Sequence, residues 1–259
     1  MSAATQSPSS MAGAVASDQI RGDKRSRTTR RHAWAVAALV LASAIAGDAV
    51  QSRLPCGGGD LIQALQFADS RLLVMRMVPA GSPINHAAIE AYRLDTILFV
   101  PSYWLVFTSA GLLLMRTGWH VDRLLAAAII AAATGAAVFD IVENRLIEAA
   151  LANSDDFRSP IAWATAKWTL AFGAILCLSL ALLLRLKQKH QSRTLGIVAG
   201  ALLLAGSAAG LHVVRGPSWL TATSVLSEIG LLLLALSFIW DPEYLFETVP
   251  GTAQAPERR

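Results

Sequence analysis

The chain has 259 residues, of which 54% are hydrophobic and only 15% are charged. A soluble domain carries about 25% charged residues, so the composition excludes an ordinary soluble fold. The net charge of +4 does not indicate nucleic-acid binding, because the basic residues flank apolar segments and do not stripe one soluble face. We therefore expect an integral membrane protein whose main partner is the lipid bilayer, with no nucleic acid bound.

Six long apolar segments account for about half of the chain. A membrane-spanning helix needs about 20 mostly apolar residues, and each segment is near that length. The sequence thus predicts an all-α, polytopic transmembrane helix bundle with one domain over residues 33–240. The six predicted spans are Ala33–Arg53, Leu94–Met115, Leu124–Glu143, Ile161–Leu186, Leu195–Val214 and Thr221–Trp240.

The parts outside the spans are two termini and one sizeable loop. Residues 1–32 are rich in small, polar and basic residues and predict a disordered N-terminus, while residues 241–259 predict a short tail. Within the loop 54–93, the segment Asp60–Val78 predicts an amphipathic helix that lies along the membrane surface or caps the bundle. Ser82-Pro83 resembles an N-cap followed by proline at the first helical position, so the next helix is predicted to begin near Pro83.

The distribution of positive charge predicts the orientation. Of the 22 Lys and Arg residues, 14 lie in the termini and the loops on their side, seven lie on the opposite side, and Lys167 lies within a span. Basic residues accumulate on the cytoplasmic side of membrane proteins. We therefore expect a multi-pass protein of the inner (plasma) membrane with both termini in the cytoplasm and the loop 54–93 facing outward.

The first apolar segment has a second interpretation. Arg30-Arg31 precedes it, and Ala44-Ile45-Ala46 resembles a cleavage site, so residues 1–46 could form a signal peptide, including one of the twin-arginine type. The apolar run continues past the site, and its removal would leave five spans. We therefore favour retention of the first span.

Two further features predict local helix geometry. Pro101 lies within the second span and cannot donate to the carbonyl of Ile97, so a kink is expected there. The fifth span contains the pairs Gly196/Gly200 and Gly206/Gly210, whose small-xxx-small spacing favours close contact with another helix.

Ionisable and amide residues recur within the spans, all on the side of the loop 54–93. Charges in spans are costly and usually face the bundle interior. Lys167 is the basic residue within a span, and a carboxylate on a neighbouring helix would lower its cost. The third and fourth spans have a short connection, so we expect Lys167 near Asp140 or Glu143, with Asp95 close by. The candidate ligand-binding cluster consists of Asp95, Asp140, Glu143, Asn144, Lys167 and Glu228.

Three stretches carry a resemblance to known proteins: RLDTILFVPSYW, FDIVENRLIEAAL and WATAKWTLAF. They resemble a loosely defined group of uncharacterised small bacterial integral membrane proteins with a D-x-x-E-N motif ending the third span. The resemblance covers residues 33–186, and the last two spans lie outside it. It implies motif residues Asp95, Asp140, Glu143, Asn144 and Lys167, and it implies no activity.

Three classes of function fit this pattern. The first, which we favour, is a non-enzymatic accessory protein or a binder of a lipid or other hydrophobic small molecule. The others are a membrane-embedded enzyme that uses the outer-side carboxylates as general acid and base, and a small proton-coupled transporter. Metalloprotease, nucleophile-elbow and phosphate-loop motifs are missing, so no catalytic residue, metal or cofactor is predicted. Oligomeric state is left open by the sequence.

Overall fold

The chain folds as a bundle of α-helices, which confirms the predicted all-α class. A computed structural model describes residues 8–54, 58–116, 120–152, 157–184, 193–210 and 218–240, and no strand occurs within these ranges. The predicted tail 241–259 lies outside them. The helices are α1 (Pro8–Gln51), α2 (Gly58–Gln66), α3 (Arg71–Met77), α4 (Pro83–Leu94), α5 (Val100–Met115), α6 (His120–Leu151), α7 (Ile161–Leu183), α8 (Arg193–Gly210) and α9 (Ser218–Trp240).

Four helical stretches of the described chain are long and apolar enough to cross a membrane. They are Arg30–Gln51, Pro83–Met115, His120–Leu151 and Ile161–Leu183. Two shorter apolar stretches, Gly196–Ala208 and Leu226–Ser237, fall in α8 and α9. This composition is that of a multi-pass membrane protein, whereas the total of six spans stays a prediction.

The long helices follow one another around the bundle in chain order. Helix α5 packs on α6, α6 on α7, α7 on α8 and α8 on α9, and α1 contacts both α5 and α9, so the ring closes. Side chains from all six of these helices fill the centre, and we call this the bundle core. Its buried members include Val36, Leu114, Ile129, Leu178, Leu203 and Leu234.

A second apolar core lies at one end of the bundle, beneath α2, α3 and α4, which we call the cap. Leu65 of α2, Val74 of α3 and Tyr92 of α4 pack there against Ile147 of α6 and Val50 of α1. About 20 residues of helix cross the hydrocarbon, so α4 and the last turns of α6 have the length to continue beyond it. The cap is therefore a small packed layer at one end of the helix bundle.

The cap confirms one prediction and corrects another. Helix α4 begins at Pro83 as expected, and the Ser82 side chain accepts a hydrogen bond from the Asn85 N–H at 3.2 Å. The prediction of one continuous helix over Asp60–Val78 is wrong, because α2 ends at Gln66 and α3 begins at Arg71. The chain restarts there because Ser70 caps α3 by accepting from the Leu73 N–H at 3.4 Å.

Helix α1 is longer than its predicted span. It begins at Pro8, whereas the sequence predicts disorder over residues 1–32. Extending a helix already formed by a membrane span adds one hydrogen bond per residue without a new nucleation cost, which favours continuation through Ala, Arg and Gln. Helix α6 likewise passes the predicted end at Glu143 and reaches Leu151, since Ile147 and Ala150 are buried under the cap.

The predicted distortion near Pro101 takes the form of a π-helical turn over Asp95–Phe99, which joins α4 to α5. The Val100 N–H donates to the Asp95 carbonyl, five residues earlier. Because Pro101 lacks an N–H, a regular α-helix would leave the Ile97 carbonyl without its hydrogen-bond donor. The wider π turn accommodates one extra residue at this point. The register of α5 relative to α4 is therefore shifted by one position.

Helix α8 makes the close contact that its glycines predict, and the partner is α7. A Cβ atom on Gly200 would lie 3.2 Å from Leu183 Cδ2, and one on Gly210 would overlap the Phe172 ring. The Ser179 hydroxyl of α7 also donates to the Gly200 carbonyl at 2.7 Å. The small residues thus allow the α8 backbone to approach α7.

Candidate functional site

The Lys167 ammonium of α7 lies between two carboxylates of α6. Its Nζ atom is 3.0 Å from Asp140 Oδ1 and 2.8 Å from Glu143 Oε2. Asp140 and Glu143 are three residues apart, so they share one face of α6, and the adjacent antiparallel α7 presents Lys167 to that face. The predicted proximity of Lys167 to Asp140 and Glu143 is confirmed.

The next residue on this face of α6, Asn144, connects the ion pair to the π-helical turn. Its Nδ2 group donates to Asp95 Oδ2 at 2.6 Å and to Thr96 Oγ1 at 3.1 Å. The Thr96 hydroxyl in turn donates to the Tyr92 carbonyl at 3.0 Å, which fixes its orientation. We call Asp95, Asp140, Glu143, Asn144 and Lys167 the buried cluster; it joins three helices.

Tyr103 of α5 completes the hydrogen bonds of Asp140. Its hydroxyl donates to Asp140 Oδ2 at 3.1 Å, so each carboxylate oxygen of Asp140 has a donor. The π-helical turn explains why Tyr103 and Asp95 face the same way. Seven residues make about two turns of an α-helix, and the extra residue of the π turn lets eight residues do so.

Two hydrogen bonds hold α2 beside the buried cluster. Trp168, next to Lys167, donates from Nε1 to Gln66 Oε1 of α2 at 3.1 Å, and the Lys167 ammonium lies 4.9 Å from the Trp168 ring centroid. Tyr92 of α4 donates from its hydroxyl to the Ile62 carbonyl at 3.1 Å. The buried cluster therefore lies directly under α2 and the end of α4.

Burial is nearly complete for four of the five cluster residues. The side-chain exposed fraction is 6% for Lys167, 5% for Asp140 and 0% for Glu143, and Asn144 is fully buried as a residue. Asp95 is half-buried and borders a cavity of about 10 Å³ that Val50, Ile62, Ala91 and Tyr92 also line. Such a volume is about that of one water molecule, so this cavity admits no lipid or drug-sized ligand.

Some buried oxygens of the cluster lack a hydrogen-bond donor. Glu143 Oε1 and Asn144 Oδ1 have no partner among the described residues. Glu143 Oε2 lies at ion-pair distance from Lys167 but not in hydrogen-bond geometry. Buried polar atoms are nearly always satisfied in folded proteins, so these atoms mark the part of the cluster where a further group or a proton would be stabilised.

The chemistry available to this arrangement is ionic. Within the described residues, no group of three or more His, Cys, Asp or Glu side chains has the geometry to hold a metal ion. Both carboxylate oxygens of Asp140 accept hydrogen bonds, and the Lys167 ammonium is buried between Asp140 and Glu143. The cluster can therefore hold helices together and exchange protons.

Five of the six candidate residues from the sequence are brought together, and Glu228 is not. Glu228 is exposed on α9, a helix that packs on α8 and α1. Its neighbours Ser227 and Gly230 are the residues that face inward there. Depth in a span was therefore a correct guide for Lys167, whereas the rotation of α9 about its axis places Glu228 on the outside.

Three further residues at the site, Tyr103, Thr96 and Trp168, were not predicted from the sequence. Each lies within one of the stretches that carried the resemblance. Aromatic and hydroxyl side chains are common in membrane helices for packing alone, so their presence did not indicate a site. Thr96, next to Asp95, could have been found by asking which hydrogen-bonding groups adjoin a buried carboxylate. Tyr103 could not, because its alignment with Asp95 depends on the π-helical turn.

Comparison with known proteins adds no relative to these observations. No protein-family model, no curated protein and no solved structure matches this chain.

Proposed function

We propose that this protein is a six-span inner-membrane protein that acts without catalysis, as an accessory protein whose cap is held rigidly on its membrane bundle. The observation that supports this proposal is the buried cluster: Lys167 contacts Asp140 and Glu143 at 3.0 and 2.8 Å, and all three are sealed from solvent. A catalytic or lipid-binding role would require space at the charged groups. The cavity beside Asp95 has a volume of only about 10 Å³.

The cluster lies where the cap meets the bundle, which explains how it would fix the two together. Asp95 follows α4 directly, Asn144 bonds Asp95, and Trp168 bonds Gln66 of α2. Loss of the Lys167–Asp140 pair would thus weaken both the contact between α6 and α7 and the contact between the cap and the bundle. A rigid cap is a surface that another membrane or periplasmic protein can bind with little ordering cost.

The proposed topology places the cap outside the cytoplasm. It follows from the 14 to seven distribution of basic residues, with both termini on the cytoplasmic side. Reporter fusions after Gly118 and after His190 should both report the cytoplasm. A periplasmic signal at either position contradicts the topology. Intact-mass analysis should show that the first span is retained, whereas a mature N-terminus at Gly47 would show cleavage.

The fixing role is tested by hydrogen exchange of the full-length protein in lipid nanodiscs. Lys167→Met should speed exchange of the α2 and α3 amides, because it removes the cation between α6 and α7. Arg53→Ala, which removes an exposed ion pair with Glu90, is the matched control and should leave those rates unchanged. Unchanged α2 and α3 exchange in Lys167→Met argues against a fixing role.

The proposal that the protein acts without a bound ligand has a separate test. Native mass spectrometry after purification in mild detergent should show the protein without a stoichiometric small molecule. A lipid or other hydrophobic ligand that co-purifies with wild type and is lost in Asp95→Asn would contradict the proposal. That result would make the buried cluster part of a ligand site.

A further inference from the structure

Glu143 is fully buried and has a carboxylate oxygen without a hydrogen-bond donor. Its exposed fraction is 0%, and Oε1 has no partner among the described residues. Its other oxygen, Oε2, contacts only an ammonium that Asp140 also contacts. From this geometry we propose that Glu143 is a proton-binding site, occupied in the folded protein at neutral pH.

The charges of the buried cluster support this inference. The buried cluster contains three carboxyl groups, on Asp95, Asp140 and Glu143, and a single ammonium, on Lys167, which contacts Asp140 and Glu143. If all were ionised, the site would hold two negative charges in excess in a region shielded from water. An uncompensated buried charge is strongly destabilising, and within a membrane-spanning bundle water cannot relieve it. A bound proton removes part of the excess without requiring any space.

The hydrogen bonds assign the proton to Glu143 and not to Asp140. Asp140 receives donors at both oxygens, from Lys167 at 3.0 Å and from Tyr103 at 3.1 Å, which is the environment of an ionised carboxylate. Asp140 and Lys167 therefore form a neutral pair. Glu143 would be the second anion on the same ammonium, and no other donor reaches it from the part of the chain that the structure describes.

Asp95 differs from Glu143 in its access to solvent. It is half-buried, accepts a hydrogen bond from Asn144 at 2.6 Å, and borders the water-sized cavity. The hydrogen bond from Asn144 stabilises a charge on Asp95, whereas the oxygens of Glu143 have no hydrogen-bond donor among the described residues, so Asp95 has less need of a proton.

The charged and titratable groups of other elements that interact with Glu143 are Lys167 of α7, Asp95 of the π-helical turn, Tyr92 of α4 and Tyr103 of α5. Helix α3, which also packs on α6, carries Arg71 and Arg76. Of these, Lys167 is the cation in contact with it. The step itself is a proton transfer. A hydronium ion gives its proton to the Glu143 carboxylate, an O–H bond forms, and a water molecule is released.

The bound proton has a consequence for the cap. The folded protein retains a proton that an exposed glutamate in the unfolded chain releases, so stability falls as pH rises. Removing the proton places a second negative charge beside Asp140 and weakens the junction under α2. This inference rests on the proposed fixing role only for the response of the cap; proton binding by Glu143 stands on its own.

Infrared spectroscopy of the full-length protein in lipid nanodiscs tests the inference. Wild type at neutral pH should show the C=O stretching band of a protonated carboxyl group, and the band should disappear at alkaline pH. Labelling all glutamates with carbon-13 at the side-chain carboxyl should shift this band, whereas labelling of aspartates should not. Glu143→Gln should abolish it, and the control Glu90→Gln, which alters an exposed ion-paired glutamate of α4, should leave it in place.

The stability of Glu143→Gln gives a second readout, because the amide imitates the neutral acid. Its melting temperature at neutral pH should stay within about 2 °C of wild type and should not fall between about pH 6 and pH 9, where that of wild type falls. A missing band in wild type, a band that persists in Glu143→Gln, or a Glu143→Gln protein that fails to fold overturns the inference. Proton binding without altered cap exchange in Lys167→Met overturns only the fixing role.

Discussion

Helices α5 to α7 and helices α8 and α9 are held in the same ring by different interactions. The first group meets at the buried cluster, where an ammonium lies within 3.0 Å of two carboxylates. In the second group, the described close contacts depend on small residues, such as Gly230 against Leu203 and Gly200 against Leu183. The described polar contacts there are hydrogen bonds to backbone carbonyls: Ser179 of α7 donates to Gly200 of α8, and Ser207 and Ser237 donate within their own helices.

This difference teaches how each part of the ring is specified. A buried ion pair works only over a few ångströms and leaves costly charges if its partners separate, so it selects one register of α6 against α7. Packing by glycine and alanine gives contact area without such a penalty for a small shift. The polar part also continues into the cap, whereas α8 and α9 have no described contact of comparable strength with it. We therefore expect mutations to have unequal effects in the two parts.

The largest effect is expected at Lys167. Lys167→Met leaves the Asp140 carboxylate without its counter-charge and should lower the free energy of unfolding by about 3–5 kcal/mol. Adding Asp140→Asn should restore part of the loss, with a coupling of at least about 1 kcal/mol, since neither group is then stranded. Unfolding in detergent for wild type, both single variants and the double variant measures the coupling. Strict additivity would show that the two groups do not stabilise one another.

In the α8–α9 part, a large effect is expected at Gly230. A Cβ atom there would lie 2.8 Å from Leu203 Cγ and 3.2 Å from the Leu203 backbone nitrogen, so Gly230→Ala should cost about 2 kcal/mol by overpacking. Gly173→Ala in α7 is the matched control because no atom lies within 4 Å of the added carbon. That control should be neutral or stabilising by up to about 1 kcal/mol, the helix-propensity gain. Equal melting temperatures for the two variants would refute close packing of α9 on α8.

A smaller effect is expected at Asn85, which ties the start of α4 to the end of α6. Its Nδ2 group donates to the buried Leu151 carbonyl at 3.0 Å. Asn85→Ala should cost about 1 kcal/mol, because the carbonyl loses its side-chain donor near a helix end where water can partly replace it. Thermal unfolding measures the loss, and exchange should rise in the cap but not in α8 or α9. A rise of equal size in α8 would show that the two parts are not separate.

The smallest effect is expected at the surface of the cap. Arg53 and Glu90 form an ion pair at 3.2 Å, with half of each side chain exposed. Solvent screens such a pair, and Arg53→Ala should change the unfolding free energy by less than about 0.5 kcal/mol. The change should shrink further in high salt. A loss above about 2 kcal/mol would mean that charge stabilises this region in general, and not only the buried cluster.

Much of the architecture could be predicted because membrane helices have a strong local signal. Long apolar runs located the six main helices, and the Ser82-Pro83 signal located the start of α4. The start of α1 and the end of α6 were missed because an apolar run marks only the apolar part of a helix. It does not show where the same helix continues through polar residues or under the cap. The break between α2 and α3 was missed because the amphipathic pattern runs through Ser70, whose capping role is visible only in its hydrogen bond.

The sequence by itself determined which side chains had to find partners. A lysine within a span and the i, i+3, i+4 spacing of Asp140, Glu143 and Asn144 were enough to predict that they meet. Only the tertiary structure decided which other groups take part. The π-helical turn aligns Tyr103 with Asp95, and the rotation of α9 turns Glu228 outward. The energetic cost of a charge within a span and the spacing of residues along one helix are properties of the local sequence. The rotation of a helix about its axis is instead set by the helices packed against it.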